Sequence, residues 1–184
     1  MVSVIASVRA VCPNRPLGLG EDLRVAELQA NRLLGALEIT RPSVPETLIA
    51  SLPRIQVERA AHLPGSGATR WLKGRWIIAL NATDSVMRQR FSLVHEFKHV
   101  IDAPFGETLY PAIRDWKSRA RREQIADYFA ACVLMPRMWV KRAWREGVQD
   151  VDALARIFQV SQVAMRVRLQ SIGLIETAPR CLVA

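Results

Sequence analysis

The run His95-Glu96-Phe97-Lys98-His99 constrains this chain more than any other feature, because it joins a helical pattern to the side chains of a metal site. No Pro or Gly interrupts residues 84–101, and Val86, Leu93, Phe97 and Val100 recur at helical spacing as an apolar stripe. The stretch therefore reads as an amphipathic helix packed on a core. A helix carries residues i and i+4 to one face, one turn apart, so His95 and His99 can bind one metal ion on the face roughly opposite the stripe. Glu96 stands beside them as a candidate base. Zinc held by three protein ligands keeps a fourth position for water and lowers its pKa to about 7, the chemistry of amide hydrolysis at neutral pH. The plain alternative is an amphipathic helix with two solvated histidines.

The third ligand defines the subclass. A metzincin would place His or Asp six residues after the second histidine, where this chain has Phe105. Asp102 lies nearer, as a ligand or as an acceptor behind one. Downstream, Glu123-Gln124-Ile125-Ala126-Asp127 resembles the ExxAD element of gluzincin-type peptidases, in which the Glu completes the metal site from a second helix. That resemblance makes Glu123 the expected third ligand. Asp127, one turn on, shares its face and could accept a hydrogen bond from a ligand histidine, fixing its tautomer. Ala126, Ala130 and Ala131 leave a small surface that lets the two helices approach closely. Without the resemblance, Glu123 and Asp127 would read as a solvated acidic face beside Arg119, Arg121 and Arg122.

With 184 residues, 50% of them hydrophobic, the chain can bury one proper core with a small appendage. Its three cysteines, Cys12, Cys132 and Cys181, are widely spaced and form no CxxC pair, so neither a disulfide framework nor a cysteine zinc site is expected. A reducing cytoplasm fits this usage. Cys12 as a thiolate cap on the metal is the less favoured reading beside that of a small hydrophobe. The segment 1–11 is interrupted by Arg9 and too short for a signal peptide, and no apolar run reaches membrane-spanning length.

The net charge of +9 concentrates around residues 114–122 and 137–145, with Trp116, Trp139 and Trp144 interleaved. Aromatics among arginines can stack on bases. The favoured reading is instead solvated arginines on helices whose tryptophans pack inward, so direct nucleic-acid binding is a secondary expectation.

Along the chain, residues 21–38 read as a first amphipathic helix weakened at Gly35, and Pro45 opens a short helix running to about Leu52. Residues 54–58 alternate as a strand, and 64–67 read as a loop. Residues 68–72 and 75–81 form two strands around a Lys73-Gly74 turn, which sets Trp71 across from Trp76. If the second of these is an exposed edge, a substrate peptide can add to it as another strand. His62, alone in a preceding strand or loop, is not expected to be a ligand. Residues 104–114 read as a loop in which Tyr110 is a candidate oxyanion donor. Pro136 ends the Glu123 helix, residues 137–146 form another stopped by Gly147, and residues 151–161 and 164–169 form two short helices, the second capped by Ser161.

Trp76–Asn81, the Arg88–His99 segment, Glu123–Pro136 and the Leu154-Ala155-x-x-Phe158-x-Val160-Ser161 segment together resemble the ImmA/IrrE family of bacterial zinc metallopeptidases, from about Glu21 to Ile175. The resemblance implies Zn2+ held by His95, His99 and Glu123, with Glu96 as catalytic base. It implies an α+β, compact zincin-like fold, a small twisted β-sheet packed on helices including the HExxH helix, with a helical, helix-turn-helix-like C-terminal part. The expected organisation is a tail over 1–20, the metallopeptidase domain over 21–147, the helix-turn-helix-like segment over 148–175 and a tail over 176–184. Several members cut a repressor of the XRE helix-turn-helix type, and others are toxin halves of toxin–antitoxin pairs. The implied partner is thus an XRE-type repressor or antitoxin encoded nearby. The chain is shorter than relatives carrying an appended sensor or full DNA-binding domain, which argues against independent inducer sensing. The competing expectation is a toxin-like or regulatory binding protein, contacting a partner or DNA, whose zinc site is structural or idle.

Overall fold

A computed structural model describes residues 3–18, 20–109 and 116–176 of the chain. Its elements are α1 (Val4–Arg9), α2 (Glu21–Ala36), α3 (Thr47–Ala50), β1 (Ile55–Ala60), β2 (Gly67–Leu72), β3 (Arg75–Asn81), α4 (Val86–Asp102), α5 (Gly106–Leu109), α6 (Trp116–Leu134), α7 (Arg137–Arg145), α8 (Val151–Phe158) and α9 (Gln162–Ser171). A 3-10 turn over Ala103–Phe105 joins α4 to α5.

The three strands form one mixed sheet in the order β1-β3-β2. β2 and β3 are an antiparallel hairpin with Trp71 opposite Trp76, the rings meeting edge to face at 5.2 Å between centroids. Lys73 and Gly74 both take positive φ, +48° and +80°, as a two-residue turn matching the strand twist requires. β1 runs parallel to β3, Val57 beside Ile78, so β3 is the central strand and not the exposed edge considered above. Its unbroken buried run Ile77-Ile78-Ala79-Leu80 is what a strand covered on both faces needs. The free edge on that side belongs to β2.

α4 packs on β2, β3 and α6, and α2 packs on α6. Ser85 caps α4 by accepting from the Arg88 amide at 3.3 Å. Leu93, Phe97 and Val100 are buried as the stripe predicts, whereas Val86, in the exposed first turn, is 72% accessible. Ala126 and Ala130 are fully buried, which brings α6 close to α4.

Two arginines tie distant parts to α4. Arg9 donates to the carbonyls of Ile101 (3.1 Å) and Val100 (2.7 Å), satisfying acceptors that the end of the helix leaves unpaired. Residues 4–9 are therefore not tail: they form α1, with Val8 fully buried and Arg9 docked on the end of α4. Arg90, 6% exposed, donates to Val44 O at 2.8 Å and to Gln159 O at 2.5 Å, fastening the α8–α9 turn. Leu154, Phe158, Met165 and Leu169 join the same apolar cluster as Val8, Phe97 and Phe129, so the C-terminal helix pair closes the main core.

The expected loop over 104–114 begins instead as helix, the 3-10 turn followed by α5; Tyr110 and the rest of it lie outside the described residues. His62 is an exposed turn residue. Trp139 and Trp144 pack against the core and are not free platforms for bases; the side chain of Trp116 lies outside the described residues.

Candidate metal centre

The i,i+4 spacing on α4 stacks the two imidazoles with ring centroids 5.0 Å apart, and α6 delivers Glu123 across from them. His95 Nε2 is 3.2 Å from His99 Nε2 and 3.1 Å from Glu123 Oε2, and His99 Nε2 is 3.4 Å from Glu123 Oε1. Donor atoms of a tetrahedral zinc site with bonds of about 2.0–2.1 Å stand about 3.3–3.4 Å apart. Two imidazole nitrogens and a carboxylate at this spacing fit a divalent cation of the zinc type, and His95, His99 and Glu123 could hold one.

Asp127 Oδ1 lies 2.8 Å from His95 Nδ1. An acceptor there keeps the proton on Nδ1 and turns the Nε2 lone pair toward the cluster. Without metal the same groups form a proton-binding site. Burial disfavours the charged imidazole of His95, but hydrogen bonds to Asp127 and Glu123 outweigh it and raise its pKa to about 9. Glu123 is held well below the usual carboxylate range by hydrogen bonds from His95 and His99. A metal must therefore displace a proton from His95 but not from Glu123.

Glu96 faces a different neighbour. Its Oε2 accepts from Thr69 Oγ1 at 2.7 Å, so edge strand β2 holds the carboxylate in place. Gly67 clears the room for it: a Cβ built on that residue would lie 2.9 Å from Glu96 Cγ and 3.0 Å from Oε1. Gly67, Thr69, Glu96, His99, Arg119, Arg122 and Glu123 line a cleft of about 450 Å³, with the arginines as its cationic wall. Neither Gly67 nor Thr69 stands out in the sequence analysis. The one available signal is a glycine at the start of a strand, a common mark of close approach by another group.

Asp102 does not join this group. One turn beyond Lys98, it takes the Lys98 ammonium at 2.5 and 2.6 Å, both residues being buried. Cys12 also lies elsewhere, its sulfur accepting from Gln29 Nε2 at 3.0 Å, and burial pushes its thiol pKa up. It behaves as a neutral thiol.

A Mycobacterium tuberculosis transcriptional regulator superposes with a TM-score of 0.62 at 18% identity, over 84% of this chain and 57% of the regulator, so the chain spans little more than half of that protein's length. At that identity the likeness is one of fold. No curated protein matches the chain significantly. The family model of the IrrE N-terminal-like domain, Peptidase M78, matches residues 54–170, which hold β1 to β3, both metal-site helices and most of α9. The chain thus belongs to the metallopeptidase-like family of the IrrE N-terminal-like domain, the ImmA/IrrE group that its motifs resemble.

Proposed function

We propose that the chain is a zinc-dependent endopeptidase that cuts a specific cytoplasmic protein, an XRE-type helix-turn-helix repressor or antitoxin encoded nearby. The observation that carries this reading is the triangle of His95, His99 and Glu123 donors at 3.1–3.4 Å, with the Glu96 carboxylate in the same cleft. His95, His99 and Glu123 are the zinc ligands, and Asp127 orients His95. Zinc bound there would supply Lewis acidity, polarising the scissile carbonyl and making a water acidic enough to attack near neutral pH.

The remaining work falls to side chains of this chain. Glu96 takes the proton of the attacking water and delivers it to the leaving amine. Thr69 holds Glu96 on the cleft side. The free edge of β2, which carries Thr69 into the cleft, offers backbone groups to an extended substrate, so the peptide adds as a strand beside the ligands. Arg119 and Arg122 favour acidic residues in that peptide.

The net charge of +9 and the likeness in fold to a transcriptional regulator favour a second reading, a regulatory binding module whose metal site is idle. One experiment separates the two. The zinc-loaded protein and its Glu96→Gln variant are each co-expressed with the product of the adjacent gene, and new termini are sought by mass spectrometry. The peptidase reading expects a zinc-dependent cut that Glu96→Gln slows by about two to four orders of magnitude while zinc content stays unchanged. Equal cutting by both proteins, or none by either together with salt-sensitive DNA binding that survives chelation, would end it.

A further inference from the structure

The row of side chains that carries Thr69 into the metal cleft continues past it. Residues two apart on a strand share a face, so Gly67, Thr69 and Trp71 of β2 stand in line, opposite Leu80, Ile78 and Trp76 of β3. The bond from Thr69 to Glu96 marks this as the face covered by α4. Trp71 is 50% exposed although its ring packs on Trp76. Beside the two rings opens a pocket of about 320 Å³, walled by Val4 and Ile5 of α1 and by Leu52 and Pro53 ahead of β1. The polar residues of that wall are engaged or peripheral: Ser3 Oγ caps α1, Arg9 is bound to the carbonyls of α4, and Arg54 is exposed. What remains is two indole rings and four aliphatic side chains.

A strand adding to the free edge of β2 meets this row in register. Its residue opposite Thr69 comes closest to Glu96, and its residue opposite Trp71 lies two positions along, about 7 Å away, with its side chain on the same face. Antiparallel pairing is the slightly more stable kind. Because β2 runs from Gly67, beside Glu96, toward Trp71, an antiparallel peptide passes Trp71 first and the metal donors afterwards. We propose that Trp71 is a specificity-determining residue, selecting with the pocket beside it a large apolar side chain, best an aromatic one, on the N-terminal side of the scissile bond. An aromatic partner gains the edge-to-face or offset attraction of the rings in addition to its buried area. The inference rests on the peptidase reading of the metal cleft and on β2 as the edge that the substrate joins.

The test uses the zinc-loaded full chain and a pool of random decapeptides blocked at both ends. In one arm the pool is passed over immobilised, zinc-loaded Glu96→Gln protein, and the retained peptides are sequenced by mass spectrometry. Peptides carrying Phe, Tyr or Trp should be retained about tenfold over those without. That bias should vanish when Trp71→Ala is added and persist in weaker form with Trp71→Phe. Val4→Phe, which keeps the tryptophan and crowds the pocket from α1, should shift the preference to smaller side chains and serves as the reading should Trp71→Ala not fold. In the other arm the protein with Glu96 intact cuts the same pool, and the aromatic residue should fall at one fixed position upstream of the new terminus. On the best peptide so found, Trp71→Ala should raise KM about tenfold with kcat nearly unchanged. No retention, retention without an aromatic bias, a bias indifferent to the substitutions, or an aromatic preference on the C-terminal side of the cut overturns the proposal. So does displacement of the peptides by a short single-stranded oligonucleotide whose binding Trp71→Ala abolishes, since the tryptophan is then a platform for bases. Aromatic-biased retention with no cutting by the intact protein leaves Trp71 as a peptide-binding subsite and ends the peptidase reading, whereas cutting without the bias does the reverse.

Discussion

Thr69 Oγ1 donates a 2.7 Å hydrogen bond to Glu96 Oε2, and this contact joins the edge strand of the sheet to the helix that carries both histidines. It fixes which way the carboxylate points without touching the metal donors. Thr69→Val keeps the β-branched shape and removes the donor, a contact to a charged group worth about 1.5–3 kcal/mol. We expect kcat to fall about tenfold or more with zinc content and KM nearly unchanged, and Thr69→Ser to recover most of the loss. A parallel loss of zinc, measured by atomic absorption, would mean that the hydroxyl supports the fold instead.

Gly67 makes a sharper version of the same test. A methyl group there would stand 2.9 Å from Glu96 Cγ, closer than real contacts allow, and the atoms in its way belong to a side chain that can swing aside. Gly67→Ala should therefore fold with little change in Tm while the carboxylate is displaced, lowering kcat roughly 100-fold as a misplacement near 1 Å does. Unchanged turnover would show that Glu96 has slack.

These two residues also show where the sequence stops being legible. The HExxH and ExxAD helices are local patterns: periodicity places His95 and His99 on one face, and Asp127 one turn after Glu123, before any tertiary contact is known. The hairpin is equally local, since the Lys73-Gly74 turn fixes the register that pairs Trp71 with Trp76. What was hidden depends on segments distant in sequence. β3 is central because β1 returns parallel to it, and the only trace of that is the unbroken apolar run Ile77–Leu80. The closeness of Gly67 and Thr69 to Glu96 arises from β2 packing on α4, which no spacing encodes. Val8 and Arg9 look like part of a tail until the end of α4 supplies carbonyls for Arg9.

Asp127 should govern metal affinity without being a ligand. Its carboxylate accepts from His95 Nδ1 at 2.8 Å, and replacing it by Ala leaves that ring free to rotate or change tautomer. Asp127→Ala is expected to weaken zinc binding by about 10–100-fold, read by competition with a chromophoric chelator. Full affinity in the variant would remove Asp127 from the site.

Proton and metal compete for His95, and the direction of the competition is fixed by its raised pKa of about 9 in the metal-free protein. The raised pKa means that the folded, metal-free state holds this proton more tightly than the unfolded chain does. Its contribution to stability is full below the ordinary histidine value of 6.5 and disappears as pH rises through about 9. Zinc binding expels the proton, so apparent affinity should rise by about tenfold per pH unit from pH 7 toward 9 and then level off. Metal-free Tm should fall over the same interval as zinc-loaded protein gains its advantage. A pH-independent zinc affinity across this window would contradict the arrangement of His95 between Asp127 and Glu123.

Lys98 and Asp102 test the buried half of α4. Lys98 occupies a variable position of the HExxH motif, yet it is 2% exposed, its ammonium lying 2.5 Å from Asp102 Oδ1 and 5.9 Å from the centre of the Phe129 ring. The aliphatic stem packs in the core while the charge is neutralised one turn on. Lys98→Met preserves most of the packing but removes the cation of a buried ion pair, a loss expected to cost about 3–5 kcal/mol, because taking away one partner of such a pair is worse than having no pair at all. Chemical denaturation should show a lower midpoint with an unchanged m-value. Adding Asp102→Asn to Lys98→Met should recover part of the penalty, whereas a loss of packing alone would persist in the double variant. That difference separates an electrostatic role for Lys98 from a purely steric one.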